Sequence, residues 1–271
     1  MCELFAMSSR YPADITFSLE RFAQHGGLTA PHKDGWGIAF HDGYDTRIFR
    51  EAAPASNSPT IRFIKDNAFS SRIVISHIRL ATLGEVTLRN TQPFQRPLCG
   101  RMHVFAHNGD LPGIEEKYPL GDCDFEPIGN TDSEHAFCLL LQQMKSLWRK
   151  HPHPSLQQRH KLVASFARSI RPMGTANFIY SDGEYLFLHG HKRSNPGEKT
   201  PPRPPGLYWL CRTCEAKSPH LPIDGLVLTS TTAGQKAIMT ASVPLTAEKW
   251  ISLKEGEILV CKDGQVIQDV E

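Results

Sequence analysis

The run Asn130-Thr131-Asp132-Ser133-Glu134-His135-Ala136-Phe137-Cys138-Leu139-Leu140-Leu141-Gln142-Gln143-Met144 decides the fold class of this 271-residue chain. Asp132, Ser133 and Glu134 open a helix, and Ala136, Phe137, Leu140, Leu141 and Met144 recur at helical spacing to give it one apolar face. A second helix is expected from about 155 to 170, with Leu162, Val163, Phe166 and Ile170 among its apolar positions. On the N-terminal side stand short strands at 3–8 (ELFAMS), 36–41 (WGIAFH), 46–50 (TRIFR), 72–79 (RIVISHIR) and 102–107 (MHVFAH). The second and third read as a hairpin around Asp42-Gly43. On the C-terminal side strands resume at 175–180, 184–189, 206–211, 225–230 and 257–261. Two shorter helices are expected at 16–25, closed by Gly26-Gly27, and at 59–67, with Pro59 in its first turn. Strands, then two long helices, then strands again make an α+β layered protein, whereas a doubly wound sheet would alternate throughout. No GxGxxG or GxxxxGK[ST] stretch supports a nucleotide-binding reading.

Composition narrows the class. Hydrophobic residues make up 40% and charged residues 21%, with a net charge of +2. That balance gives no footing for nucleic acid or an anionic membrane. The basic cluster of Lys192, Arg193, Lys199 and Arg203 lies in a Pro-rich stretch, 192–205, and reads as a solvated loop. No apolar run approaches the ~20 residues of a membrane helix. The start, MCELFAMSSRYPAD, has no basic lead and carries Glu3 inside its apolar run, unlike a signal peptide. Seven cysteines at irregular spacing fit free thiols in a reducing, cytoplasmic setting.

Cys2 follows the initiator Met1 and is small enough to permit its removal. The mature chain would then open with a thiol beside a free α-amine of pKa ~7.7–8.0, partly neutral at physiological pH. Such an amine can take the proton of its own thiol, directly or through a water, and the thiolate is the nucleophile. Alone, Cys2 reads first as a buried structural thiol. Three companions change its weight. Arg79, at the end of a strand in His77-Ile78-Arg79-Leu80-Ala81-Thr82, either presents a planar fork to a carboxylate or joins a surface ion pair. His107-Asn108-Gly109-Asp110 is either a plain Asn-Gly turn or a pair of donors for an oxyanion. Asp132 either caps its helix or holds an ammonium. Glutamine offers a carboxylate, an ammonium and a side-chain amide, which an Arg, an Asp and a thiol with oxyanion donors would answer in turn.

Beyond these residues, the chain resembles the class II glutamine amidotransferases, which are N-terminal nucleophile hydrolases. The resemblance runs through Met1-Cys2, HIRLAT, NTQPF (90–94), AHNG (106–109) and NTDSE (130–134). Within the family it is closest to the stand-alone YafJ-type branch, through MCELFAMS, PHKDGWGIAF (31–40) and TASVPLT (240–246). The resemblance covers nearly the whole chain and implies one domain over 1–271, mature from residue 2, built as an αββα four-layer sandwich. It implies Cys2 as nucleophile, Asn108 and Gly109 at the oxyanion hole, Arg79 on the substrate carboxylate, Asp132 on its ammonium and Thr82 beside it. It implies no metal or organic cofactor. Leu80 departs from the Trp that follows the motif Arg in several relatives and alters the pocket wall. No synthetase or transferase domain follows.

Three functions fit: a glutaminase subunit passing ammonia to a separate synthetase, a stand-alone hydrolase of a γ-glutamyl amide, and a non-catalytic binding protein on the same fold. The intact set of Cys2, Arg79, Asn108, Gly109 and Asp132 speaks against the third. The pair Cys211-Arg212-Thr213-Cys214, with His189, His191 and His220 in the same half, lacks the second pair a zinc site needs. His77 and His107 read as packing or supporting histidines, since a papain-type nucleophile sits well inside its chain.

Overall fold

The computed structural model describes residues 1–14, 26, 32–67, 69–81, 84–122, 124–194, 200–214 and 234–267. Its elements in chain order are β1 (Glu3–Ala13), β2 (Trp36–Asp42), β3 (Asp45–Glu51), α1 (Pro59–Asn67), β4 (Ser71–Ile78), β5 (Phe94–Leu98) and β6 (Arg101–Asn108). A short α2 (Ile114–Lys117), the long α3 (Asp132–Lys150) and α4 (Leu156–Ile170) follow. Then come β7 (Asn177–Ser181), β8 (Leu186–His189), β9 (Tyr208–Cys214), β10 (Gln235–Ala241), β11 (Ile251–Ser252), β12 (Ile258–Lys262) and β13 (Gln265–Val266). The expected helix at 16–25 and strand at 225–230 lie outside the described residues.

Two antiparallel sheets form, one of seven strands in the order β11-β9-β10-β1-β4-β2-β3 and one of six in the order β13-β12-β8-β7-β6-β5. Alternation along each strand sorts side chains into layers. On β1, Leu4 and Ala6 point between the sheets, where they meet Ile73, Ile75, Val104, Ala106, Ile179 and Leu188. Phe5 and Met7 point the other way, to Trp36, Phe40 and the buried Ile61 and Ile64 of α1. On the far side Phe105, Phe178 and Tyr180 pack under Phe137, Leu140 and Met144 of α3 and Val163, Phe166 and Ile170 of α4. The result is the expected αββα layering. Each such side chain contributes ~1.5–3 kcal/mol of burial. Among the described residues, no helix is long and apolar enough to cross a membrane.

The helices begin as their sequences direct, with one correction. The N-cap of α3 is Thr131, whose hydroxyl accepts from the Glu134 N–H, so Asp132 is the first helical residue, with one carboxylate oxygen on the first turn and the other reaching Leu111. Ser155 caps α4 through a reciprocal capping box with Gln158. The 192–205 stretch also departs from the solvated reading at Arg193. Its side chain is buried, 3.6 Å from the buried Glu3 carboxylate.

Several histidines are enclosed by these layers. Burial holds His77 and His189 near pKa 3 and His41 and His103 near 4, against an ordinary 6.5. The unfolded chain therefore takes up protons below about pH 6.5 that the folded chain refuses. Stability from these groups is complete above 6.5 and is lost as pH falls toward 4 and 3. Each contributes a slope of up to about 1.4 kcal/mol per pH unit. Urea midpoints at pH 7.5, 6 and 5 should fall steadily. A flat profile over that window would contradict neutral burial, since carboxylates such as Glu184, held to about 2 by Lys262, Arg159 and Arg101 against its own burial, titrate lower.

Candidate active site

β1 is the central strand of the larger sheet, and Cys2 precedes its first paired residue, Glu3, which stands opposite Ile78 of β4. That register places the thiol against the chain leaving β4. Cys2 Sγ accepts from the Leu80 N–H at 3.3 Å and lies 3.4 Å from the Leu80 carbonyl oxygen. Burial pushes the thiol pKa up, while the Leu80 N–H, the N-terminal ammonium and Arg79 pull it back and Asp110 pushes it up again. The thiol is thus protonated at rest and needs a base beside it. Ahead of it, the Met1 carbonyl accepts from His32 Nε2 at 2.6 Å, and the Met1 sulfur lies 2.9 Å from the Ser194 N–H. His32 is buried, and burial lowers its pKa, which favours the neutral ring.

Arg79 leaves the end of β4 buried, and its fork donates to two backbone carbonyls, Nη1 to Glu85 at 2.8 Å and Nη2 to Gly84 at 3.2 Å. The next turn is fastened by Asp34, which accepts from the Ala81 N–H at 2.9 Å. Thr82 lies outside the described residues.

Asn108 ends β6 and is fully buried. Its Nδ2 lies 3.4 Å from Ser242 Oγ, and its Oδ1 has no hydrogen-bond partner among the described residues. Gly109 follows. A Cβ there would collide with the Thr175 carbonyl, so this close approach admits only glycine. His107 braces the turn from behind. Its Nε2 donates to the Thr175 carbonyl at 3.2 Å, so Nδ1 accepts from the Ser133 hydroxyl at 2.8 Å. Its backbone N–H donates to the Gln92 side chain at 2.6 Å.

Asp132 faces the same turn. One carboxylate oxygen accepts from the Leu111 N–H at 2.6 Å and the other from the Ser133 N–H at 2.7 Å. Asn90 ties the segment ahead of α3 to the Arg79 loop, donating to Glu85 O at 3.0 Å and Asn130 Oδ1 at 2.8 Å. Glu134 is buried, accepts from the Gly129 N–H at 2.7 Å and pairs with Arg96 at 2.6 Å.

Cys2, Arg79, Gly109 and Asp132 thus line one cleft, together with Asp110 and Asn90, while the buried Asn108, next to Gly109, is not among its lining residues. The cleft is small, with about 30 Å³ of accessible space. Beyond Met1 lies a second cavity of about 510 Å³, lined by Met1, Asp110, Arg171, Thr175, Lys192 and Ser194. Asp110 belongs to both. Asn90, Gln92, Asp110, His32 and Ser242 were given no role from sequence. The first two lie in NTQPF, and His32 and Ser242 in the other quoted motifs, so the motifs were the available signal.

The CxxC pair sits on β9 of one sheet and His189 on β8 of the other, and His220 lies outside the described residues. Among the described residues no three His, Cys, Asp or Glu side chains gather as a metal site.

A family model described as glutamine amidotransferases class-II matches residues 1–271. The chain is 36% identical to YafJ of Escherichia coli (strain K12) over 272 residues, covering 98% of this chain and 100% of that one. It is similar to the crystal structure of a predicted glutamine amidotransferase from Pseudomonas aeruginosa PA01, at 30% identity and a TM-score of 0.67, covering 99% and 100% of the two chains. The glutamine phosphoribosylpyrophosphate amidotransferase of B. subtilis shares the fold at 14% identity and a TM-score of 0.62, over 98% of this chain and 48% of that one.

Proposed function

The chain belongs to the class II glutamine amidotransferases, and from that premise we propose that it cleaves the side-chain amide of glutamine or of a γ-glutamyl compound, with Cys2 as nucleophile. The observation that carries this reading is the convergence of Cys2, Arg79, Gly109 and Asp132, distant in sequence, on one cleft.

Once Met1 is removed, the α-amine of Cys2 takes the thiol proton and the thiolate attacks the amide carbon. The Gly109 N–H and the Asn108 carboxamide hold the oxyanion that forms. The protonated amine passes its proton to the leaving nitrogen, ammonia departs, and a water hydrolyses the γ-glutamyl thioester. Arg79 reads the α-carboxylate, Asp132 the α-ammonium, and Thr82 borders the substrate. No metal or organic cofactor enters these steps. Residues 1–271 act as one domain in the cytoplasm, releasing ammonia to water or to a separate synthetase.

Active protein should lack Met1, because an amide nitrogen bonded to Met1 has no basic lone pair to give. A thiol-alkylating glutamine analogue followed by intact mass tests both points. The expected result is one adduct, on Cys2, in chains lacking Met1. Full glutaminase activity with Met1 wholly retained would sink the mechanism.

The 510 Å³ cavity favours a second reading. The leaving nitrogen must sit beside the Cys2 amine, on the side where Met1 now lies and where this cavity begins. Ammonia needs no such room, whereas a larger amine does. A higher kcat/KM on γ-glutamyl amides of larger amines than on glutamine would support it, and the reverse order would favour the glutaminase.

A further inference from the structure

We propose that Ser242 is a positioning residue that turns the Asn108 carboxamide so that its NH₂ group, not its carbonyl, is left available as the oxyanion donor. The proposal rests on the amide-hydrolase reading and assigns that site a residue it did not include.

The argument is a count of hydrogens. Ser242 Oγ already accepts from the Leu4 N–H at 3.0 Å, and the Ser242 N–H donates to the Leu4 carbonyl at 3.0 Å. A hydroxyl has one hydrogen to give. If Asn108 Nδ2 points at Ser242, Oγ receives two donors and its own hydrogen does nothing for Asn108. Asn108 Oδ1 is then left buried without a donor, as the 3.4 Å contact and the unpartnered oxygen record. Leaving a buried acceptor unmet costs about 1–3 kcal/mol. The two ends of a carboxamide have nearly the same shape, so a half-turn reverses them without moving the backbone. In the reversed setting the Ser242 hydroxyl donates to Oδ1 and the carbonyl is satisfied. The NH₂ group then sits at the end turned away from Ser242, where no hydrogen-bond partner meets it among the described residues, and the Ser242 hydroxyl hydrogen, idle in the first setting, is used. A donor that is idle in the resting enzyme and engaged when charge develops on the amide oxygen stabilises the transition state more than the ground state. Because the same hydroxyl is tied to Leu4, two residues beyond the nucleophile, it fixes the donor and the nucleophile's strand to one point.

The test uses Met1-processed full-length protein with glutamine as substrate and iodoacetamide as a second probe of Cys2. Displacement on iodoacetamide builds no oxyanion, so it reports the thiol alone. Ser242→Ala should lower kcat about 10- to 100-fold, somewhat less than removal of the donor itself, with KM and the alkylation rate within about twofold. Ser242→Thr, which keeps the hydroxyl, should recover most of the loss. In an Asn108→Ala background, Ser242→Ala should add little, because its effect passes through Asn108. The proposal is overturned if Ser242→Ala slows alkylation as much as turnover, if Ser242→Thr is as poor as Ser242→Ala, or if the two losses multiply in the double variant. A processed wild-type protein that alkylates at Cys2 but hydrolyses no amide would instead overturn the amide-hydrolase reading beneath it.

Discussion

Cys2→Ser or Cys2→Ala should reduce amide turnover by about 10³-fold or more while leaving the fold intact, because the acyl step has no other sulfur to use. Cys2 lines the cleft with Arg79, Gly109 and Asp132, and its Sγ is held by the backbone of Leu80. Cys211 is exposed on β9. Cys211→Ser and Cys214→Ser should therefore stay near wild-type activity. Steady-state kinetics on glutamine, with circular dichroism as the check on folding, decides the matter. Activity lost to a chelator, or to Cys211→Ser in a folded protein, would revive a metal site at the CxxC pair.

Asn108→Ala should lower kcat by about 10²–10³ with a small change in KM, the usual loss for one oxyanion donor. Arg79→Lys should do the opposite, raising KM more than it lowers kcat. The α-carboxylate does not change during the reaction, so its contact is uniform binding. Lysine keeps the charge but loses the two-pronged fork. Asp132→Asn should follow Arg79→Lys through the ammonium, with some added loss because both carboxylate oxygens also accept backbone N–H groups. The same split should appear on a γ-glutamyl amide, since these residues are proposed to read the glutamyl end. Damage to kcat alone from Arg79→Lys, or to KM alone from Asn108→Ala, would show the roles to be wrongly divided.

Much of the layering could be read in advance because its signals are local. β4 and β6 carry apolar runs, and α3 and α4 carry caps and a single apolar side. Four strands escaped: β11 and β13 are only two residues each, and the longer β5 and β10 escaped for physical reasons. β5 reads Phe-Gln-Arg-Pro-Leu, and Pro97 argues against a strand; it is tolerated because β5 is the edge of its sheet. β10, Gln235–Ala241, is buried on both faces between β9 and β1, which erases the alternation that marks a half-exposed strand. At the site, motifs identified the residues that touch the cleft. They could not show that Asn108 leans on Ser242, a contact across 134 positions that joins the end of β6 in one sheet to the residue following β10 in the other. Nor could composition show that Arg193, amid prolines and lysines, turns inward to Glu3.

The hydrogen bonds from Arg79 to Glu85 O and Gly84 O would make the proposed recognition of a carboxylate by Arg79 an exchange reaction. A ligand carboxylate that takes the same two N–H groups would have to replace these carbonyls on the guanidinium. Its advantage is only the difference between an anionic acceptor and a neutral one. A carboxylate would win that competition because its full negative charge adds an ion-pair attraction and a bidentate fit that a neutral carbonyl lacks. A primary amide or an ester at the same position gains nothing over the protein's own backbone. If Arg79 reads the substrate carboxylate as proposed, its two backbone acceptors set an internal reference that uncharged head groups would fail to beat.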